Sequence, residues 1–368
     1  MTAMAPHPDA LALGYHTVAI SPTALATVAT EVEELGIDSV WMAETKHDPF
    51  VGLAVAAART SRVSVNTGLA VAFARNPMTV AVAANDLQLL SGGRFGLGLG
   101  SQMKTHITRR FGMPWSRPAA RMREFVLAVQ AIWRAFETGE RLRFRGEFYR
   151  HTLMDSFFDP GPNPFGNPPI MLAGVGERMT QVAGEVADGY LAHTIATRRY
   201  LEQTALPLLR RGRAAAGKTM AGFTLHVTPI VVSGATEEEF VASRRFAAEQ
   251  IAKYAAIPTY AGILEAEGLG AVRDEMQQLA AQGRWAEMPA LVDDTVLDAF
   301  AVVGEPADIG VKLQERFGHL ATSIALYQYS GGNPRDLVPA YTRFRAARSS
   351  PPHDGEALVN GFSRPARP

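Results

Sequence analysis

Short runs of β-branched and aliphatic residues alternate along this chain with longer stretches whose apolar residues recur at three and four, the periods of strands and amphipathic helices. The alternation begins near Leu11. A strand over 11–19 precedes a helix over 23–35, in which Leu25, Val28, Ala29, Val32 and Leu35 form one stripe and Gly36 supplies the stop. A strand over Ser39 to Glu44, a helix over 49–59 and a strand over Val63 to Val71 follow. The helix over 77–90 opens on Asn76 as cap and Pro77 in its first turn. Arg94 to Gly100 reads as a glycine-rich strand. In the helix over 118–136, Met122, Phe125, Val126, Val129, Trp133 and Phe136 share one face. After a break the rhythm resumes with strands at 170–173, 190–193, 225–232 and 323–327 and helices at 176–187, 198–216, 306–317 and 334–346. A further helix starts at Thr236, where Thr-Glu-Glu-Glu reads as a capping box.

Eight strand–helix units in one run predict an α/β fold of the (β/α)8 TIM-barrel type, in preference to an open doubly wound sheet or two stacked α/β domains. The expected organisation is a single barrel domain over 1–348 with two insertions and a disordered, proline-rich tail over 349–368. The first insertion, 141–168, holds a hairpin-like RLRFRGEFYRH and then five prolines that no regular element tolerates. The second, 258–300, is helical but out of rhythm and is expected to act as a lid that shapes the substrate pocket. In a barrel the functional groups sit where strands end. That directs attention to the residues after Glu44, Gly68, Gly100, Ala173, His193, Val232 and Tyr327.

Composition narrows the chemistry. The 36 Lys and Arg balance 36 Asp and Glu, so no long-range field favours nucleic acid. The absence of cysteine removes thiolate metal sites, disulfides and cysteine nucleophiles. No H-x-H, H-E-x-x-H, calcium loop or G-x-S-x-G is present, so neither a metal centre nor a serine hydrolase is supported. No apolar run approaches membrane-spanning length, and the expectation is a cytoplasmic protein with a small-molecule substrate. A homodimer is left open.

At the end of the second strand the chain reads WMAETKHDPF. A carboxylate and an imidazole this close, Glu44 and His47, suit hydrogen bonding to a polar ring and acid–base work near neutral pH; Asp48 before Pro49 equally suits a helix cap. Gly68, in the middle of the third strand, hints at a bulge. The fourth strand ends in GLGLGSQ, whose spacing is wrong for a dinucleotide loop; Gly100 with Ser101 and Gln102 could let a flat ligand lie against the backbone, and the competing explanation is tight packing. After the fifth strand, Gly174, Val175 and Gly176 open a helix whose free N–H groups could receive a phosphate, with Arg198 and Arg199 either counter-charges for it or, as is commoner, solvated residues at a helix start. His193 and Thr194 end the sixth strand at the same face.

These stretches together, ELGIDSVWMAETKHDPF, VNTGLAVAFARNPMTVA, LSGGRFGLGLGSQ, RFGMPWSRPAARMREFV and PPIMLAGVGERMTQVAGEVADGYLAH, resemble the luciferase-like monooxygenase superfamily, specifically its coenzyme F-420 (deazaflavin) dependent oxidoreductases, over roughly 15–347. The resemblance implies a barrel whose third strand carries a bulge with a non-prolyl cis peptide behind the cofactor ring, mapped here to Gly68-Leu69, and a phosphate site at Val175 and Gly176. It implies hydride exchange at the cofactor's C5, with His47 and Glu44 as the catalytic candidates and Glu44, Thr45, Gly68, Leu69, Gly100, Ser101, Gln102, Gly174, Val175, Gly176, His193 and Thr194 around the cofactor. Two departures stand out. The adjacent Asp-His pair that ends strand two in many relatives is Glu44-Thr45 here, and the Thr-Gly-Glu of sugar-phosphate dehydrogenases is Gly100, Ser101, Gln102. The alternatives are an FMN-dependent monooxygenase on the same fold and a catalytically inactive deazaflavin-binding homologue.

Overall fold

The computed structural model describes residues 11–328 and 334–348; the expected tail over 349–368 lies outside them. Eight parallel strands close into a barrel. They are β1 (Ala12–Thr17), β2 (Ser39–Met42), β3 (Ser64–Thr67), β4 (Phe95–Gly100), β5 (Ile170–Ala173), β6 (Gly189–Leu191), β7 (Thr224–Val227) and β8 (Ser323–Gln328). Each pairs with its sequence neighbours, and β8 returns to β1 with Ala12 opposite Ser323 and His16 opposite Tyr327. The eight-unit (β/α)8 reading is therefore the architecture.

Local chemistry sets the helix ends where the pattern places them. Asn76 accepts a hydrogen bond from the Thr79 N–H at 3.1 Å at the start of the helix Pro77–Ser91, and Gly92 closes it at φ 65°, a conformation that favours glycine. Arg94, next along, turns its guanidinium back onto the Val63 and Thr60 carbonyls, so the base of β4 is tied to the chain between the helix Pro49–Arg59 and β3. Thr236 and Glu239 form the expected capping box at the start of the helix Glu237–Ala255.

Side-chain alternation separates two cores. Outward positions such as Leu13, Tyr15, Val40, Leu97, Leu172 and Ile324 pack under the helices. The inward positions Trp41, Met171, Leu191 and Ala325 form a separate cluster inside the barrel. Space for the Trp41 indole comes from Gly14, where a Cβ would stand 2.9 Å from Trp Nε1. The same logic explains GLGLG. A Cβ at Gly96 would collide with Asn66, one at Gly98 with the Thr67 carbonyl and Leu191, and one at Gly100 with Leu69 at 2.6 Å. Tight packing accounts for these glycines, and the room beside Gly100 is filled by the protein's own Leu69.

The structure departs from the pattern in three places. The run 225–232 is two strands: β7 ends at Val227, Pro229 cannot donate to a ladder, and Ile230–Val232 pairs instead with Ala301–Val303, a strand the pattern did not separate from the helical segment before it. β6 stops at Leu191, so His193 and Thr194 lie in the loop beyond it. The segment 258–300 is a series of short helices whose Ile263, Leu264, Met276, Met288, Val296 and Leu297 are buried in the main core. It is a packed part of the domain.

Candidate active site

The C-terminal ends of the strands gather the expected residues on one face. On β3, regular pairing ends at Thr67 and resumes at Ala70–Val71, and the Gly68-Leu69 peptide between them is cis, as the resemblance implied. The Gly68 N–H donates to Met42 O at 2.9 Å and the Glu44 N–H to Leu69 O at 3.0 Å, so the bulge is laced to the end of β2. A Cβ at Gly68 would stand 3.0 Å from Cε1 of His16 and 3.2 Å from Trp41, so a side chain there would force these rings to shift.

Glu44 anchors this bulge. Its Oε2 accepts from the Val71 N–H at 2.7 Å and from Arg75 Nη1 at 2.6 Å, with the carboxylate side chain 8% exposed. Arg75 Nη2 donates to Asp48 at 2.6 Å, and Asp48 caps the helix Pro49–Arg59 through the Phe50 and Val51 N–H groups. Asp48 is thus a cap and an ion-pair partner. The loop between them is also held: Thr45 Oγ1 accepts from the Ala19 N–H at 3.0 Å, and its carbonyl from Arg110 at 2.6 Å. His47 stands half-buried on this rim, between a fixed Thr45 and a fixed Asp48. Beyond β4, Ser101 and Gln102 are half-buried, with Gln102 at φ 59° and its side-chain oxygen accepting from the Met103 N–H at 3.0 Å.

The turn after β5 has the form expected of an anion-receiving helix end. Gly176 caps the helix Glu177–Val186 at φ 90°, and a Cβ there would meet nothing within 4 Å. The turn is braced from below, because the Tyr190 hydroxyl donates to the Gly174 carbonyl. The counter-charges do not join it. Arg198 and Arg199 line a cleft of about 520 Å³ with Glu267, Asp298, Lys312, Glu315 and Arg316, away from the Gly174–Gly176 turn. Arg198 pairs along its own segment with Glu202, at 3.7 Å. A second cleft, of about 490 Å³ near Trp133 and Asp188, surrounds the N-terminal end of β5.

Pattern reading missed the imidazoles inside the barrel. His16 is 6% exposed, neither of its ring nitrogens has a hydrogen-bond partner, and its ring lies 4.9 Å from that of Tyr327. Burial pulls it down to about 4, slightly offset by the nearby Gly68 carbonyl. His226, on β7, stacks on Trp41 at 3.8 Å and pairs with Ser323 and Thr228. Burial and then the neighbouring His16 hold it well below 6.5. Parity was the available signal: Gly14 and His16 share the face that looks into the barrel. Across the mouth from β2, His193 at the end of β6 contacts Tyr254 at 4.6 Å and Tyr260 at 4.5 Å between ring centroids. Burial lowers its imidazole to about 4 as well.

Comparison with known proteins agrees with this geometry. The family model described as luciferase-like monooxygenase matches residues 4–323. An uncharacterised protein of Mycobacterium tuberculosis is 45% identical over 291 residues, covering 79% of this chain and 86% of that one. The 5,10-methylenetetrahydromethanopterin reductase of Archaeoglobus fulgidus is 26% identical over 290 residues, covering 77% and 82%. Among solved structures, the coenzyme F420 dependent tetrahydromethanopterin reductase of Methanopyrus kandleri shares the fold with a TM-score of 0.73 at 19% identity, over 90% of this chain and 97% of that one. A closed (β/α)8 barrel with an interrupted third strand, matched by the family model over most of its length, belongs to the luciferase-like monooxygenase family of oxidoreductases.

Proposed function

We propose that this oxidoreductase uses coenzyme F-420 and exchanges hydride between the cofactor and a small organic substrate at the C-terminal mouth of the barrel. The observation that carries the reading is the pairing of two features on that one face: the Gly68-Leu69 bulge and the open, braced turn at Gly174, Val175 and Gly176. A flat ring needs a backbone platform without a protruding Cβ, which Gly68 provides, and a phosphate needs unpartnered N–H groups at a helix start. When bound, the deazaflavin supplies the redox chemistry by giving or taking hydride at C5. The chain's residues bind, orient and move the proton. Glu44 is a positioning residue: through Val71 and Arg75 it holds the bulge in place. Leu69, Gly100, Ser101 and Gln102 line the side next to β4, and Thr45, His193 and Thr194 complete the rim. His47, fixed between Thr45 and Asp48 yet partly open to solvent, is assigned the proton transfer.

Parallel titration of the purified protein with F-420 and FMN tests the reading: F-420 should bind saturably and more tightly. Tighter binding of FMN would transfer the site to a flavin monooxygenase, and F-420 binding without turnover on any alcohol or carbonyl tried would favour an inactive binding homologue. In the same titration Glu44→Gln, which keeps an acceptor for Val71 but loses the charge facing Arg75, should loosen F-420 by about 1–3 kcal/mol, the scale of a charge-assisted hydrogen bond. An unchanged dissociation constant would remove Glu44 from the site's support.

A further inference from the structure

Opposite His47, three rings from separate parts of the chain converge on the mouth: His193 after β6, Tyr254 in the last turn of the helix Glu237–Ala255, and Tyr260 in the short helix Pro258–Tyr260. Their arrangement is mutual. Tyr254 meets His193 edge-on at 83°, Tyr260 lies tilted on it at 42°, and the two tyrosines contact each other at 5.6 Å. All three are half-buried. His193 Nδ1 accepts from the Ile195 N–H at 3.4 Å, which places the proton on Nε2. Nε2 has no hydrogen-bond partner among the described residues, which leaves its N–H as the donor the ring can offer.

The wall carries no charge of its own near neutral pH. The neighbouring Lys253 sits 5.9 Å from the Tyr254 ring centroid. Arg75 is engaged by Glu44 and Asp48, and Arg198 and Arg199 face the separate cleft with Glu267 and Asp298. A phosphorylated substrate placed against the three rings would lose its water against neutral groups, with the exposed Lys253 ammonium beside Tyr254 as the nearby cation, whereas an apolar ring would gain stacking and one hydrogen bond.

We propose that His193, Tyr254 and Tyr260 form the substrate wall of this enzyme and select an uncharged, ring-bearing alcohol or ketone, with the Nε2–H of His193 donating to the substrate oxygen. The proposal rests on the cofactor reading for the reaction but not for the binding. It gives the start of the 258–300 segment a role in specificity while the rest of that segment is core.

Calorimetric titration of the full chain, with and without F-420, against 2-naphthol, naphthalene and glucose 6-phosphate tests it. The wild-type protein should bind 2-naphthol and not glucose 6-phosphate. Tyr260→Ala should weaken 2-naphthol about tenfold, the scale of one aromatic contact, and Tyr260→Phe should restore it. His193→Phe, which keeps a ring and loses the donor, should weaken 2-naphthol and leave naphthalene nearly unchanged, which separates the hydrogen bond from the packing. Circular dichroism checks that each variant is folded, and Tyr254→Ala stands in should Tyr260→Ala not fold. Tighter binding of glucose 6-phosphate, no saturable binding of 2-naphthol, or folded tyrosine variants that bind it as wild type would overturn the proposal. Failure of F-420 alone to bind would overturn the cofactor reading and leave the wall standing.

Discussion

His47→Ala should lower turnover by about 10²- to 10⁴-fold while leaving the F-420 dissociation constant nearly unchanged, the range expected when a general acid or base is removed. The neighbouring geometry makes this separation measurable. Thr45 is held by Ala19 and Arg110, and Asp48 by the helix cap and Arg75, so deleting the imidazole leaves the loop's own hydrogen bonds in place. Stopped-flow hydride transfer at saturating cofactor reads the rate of the bound complex directly. If His47 only packs against the ligand, binding should weaken and the per-complex rate should stay within a few fold. In that outcome the proton would have to come from elsewhere on the rim.

Lowering the pH should cost this protein stability well above the range where carboxylates titrate. His16, with an ordinary value near 6.5, is held down to about 4 by burial, and His226 is also held well below 6.5. Between those values the unfolded chain takes up protons that the folded barrel refuses, so unfolding is favoured as pH falls from about 6.5 and the effect is complete below about 4. For His16 alone the shift corresponds to about 3 kcal/mol at 1.36 kcal/mol for each unit. Stability is therefore intact above pH 7 and declines through the window between. Urea midpoints at pH 7.5 and 4.5 measure it, and the difference should shrink in His16→Gln, which removes one of the buried imidazoles, while His226 and His193, also lowered by burial, keep their share. An equal drop in the variant would place the titrating group elsewhere.

Strand and helix positions were legible because both depend on neighbours close in sequence. The 3.6-residue stripe of Leu25, Ala29 and Val32, the Asn76 and Thr236 caps and the Gly92 stop act within one or two turns, and the helices lie where these signals place them. The interruption at Gly68 was legible for the same reason, since a glycine inside a β-branched run disturbs its own strand. Partners distant in sequence were not legible. A two-residue alternation shows that GLGLG turns three glycines one way, but only barrel closure shows that Asn66, Leu191 and Leu69 occupy the space. Likewise the run Leu225 to Val232 has one apolar pattern, and its division at Pro229 follows from Ile230–Val232 finding Ala301–Val303, some seventy positions on. The charges behaved in the same way. Arg198 and Arg199 could be read from sequence as counter-charges of the phosphate turn or as solvated helix-start residues, and the fold sets them on a cleft shared with Glu267, Asp298 and Glu315, because which charges meet depends on distance in space. Thus the sequence by itself determined the eight units, their caps and the gathering of Glu44, Gly68, Gly100 and Ala173 at strand ends on one face. The tertiary structure alone decided which imidazoles are buried, that Glu44 braces the bulge through Arg75, and that His193, Tyr254 and Tyr260 meet, because closing the barrel brings together groups that no local pattern relates.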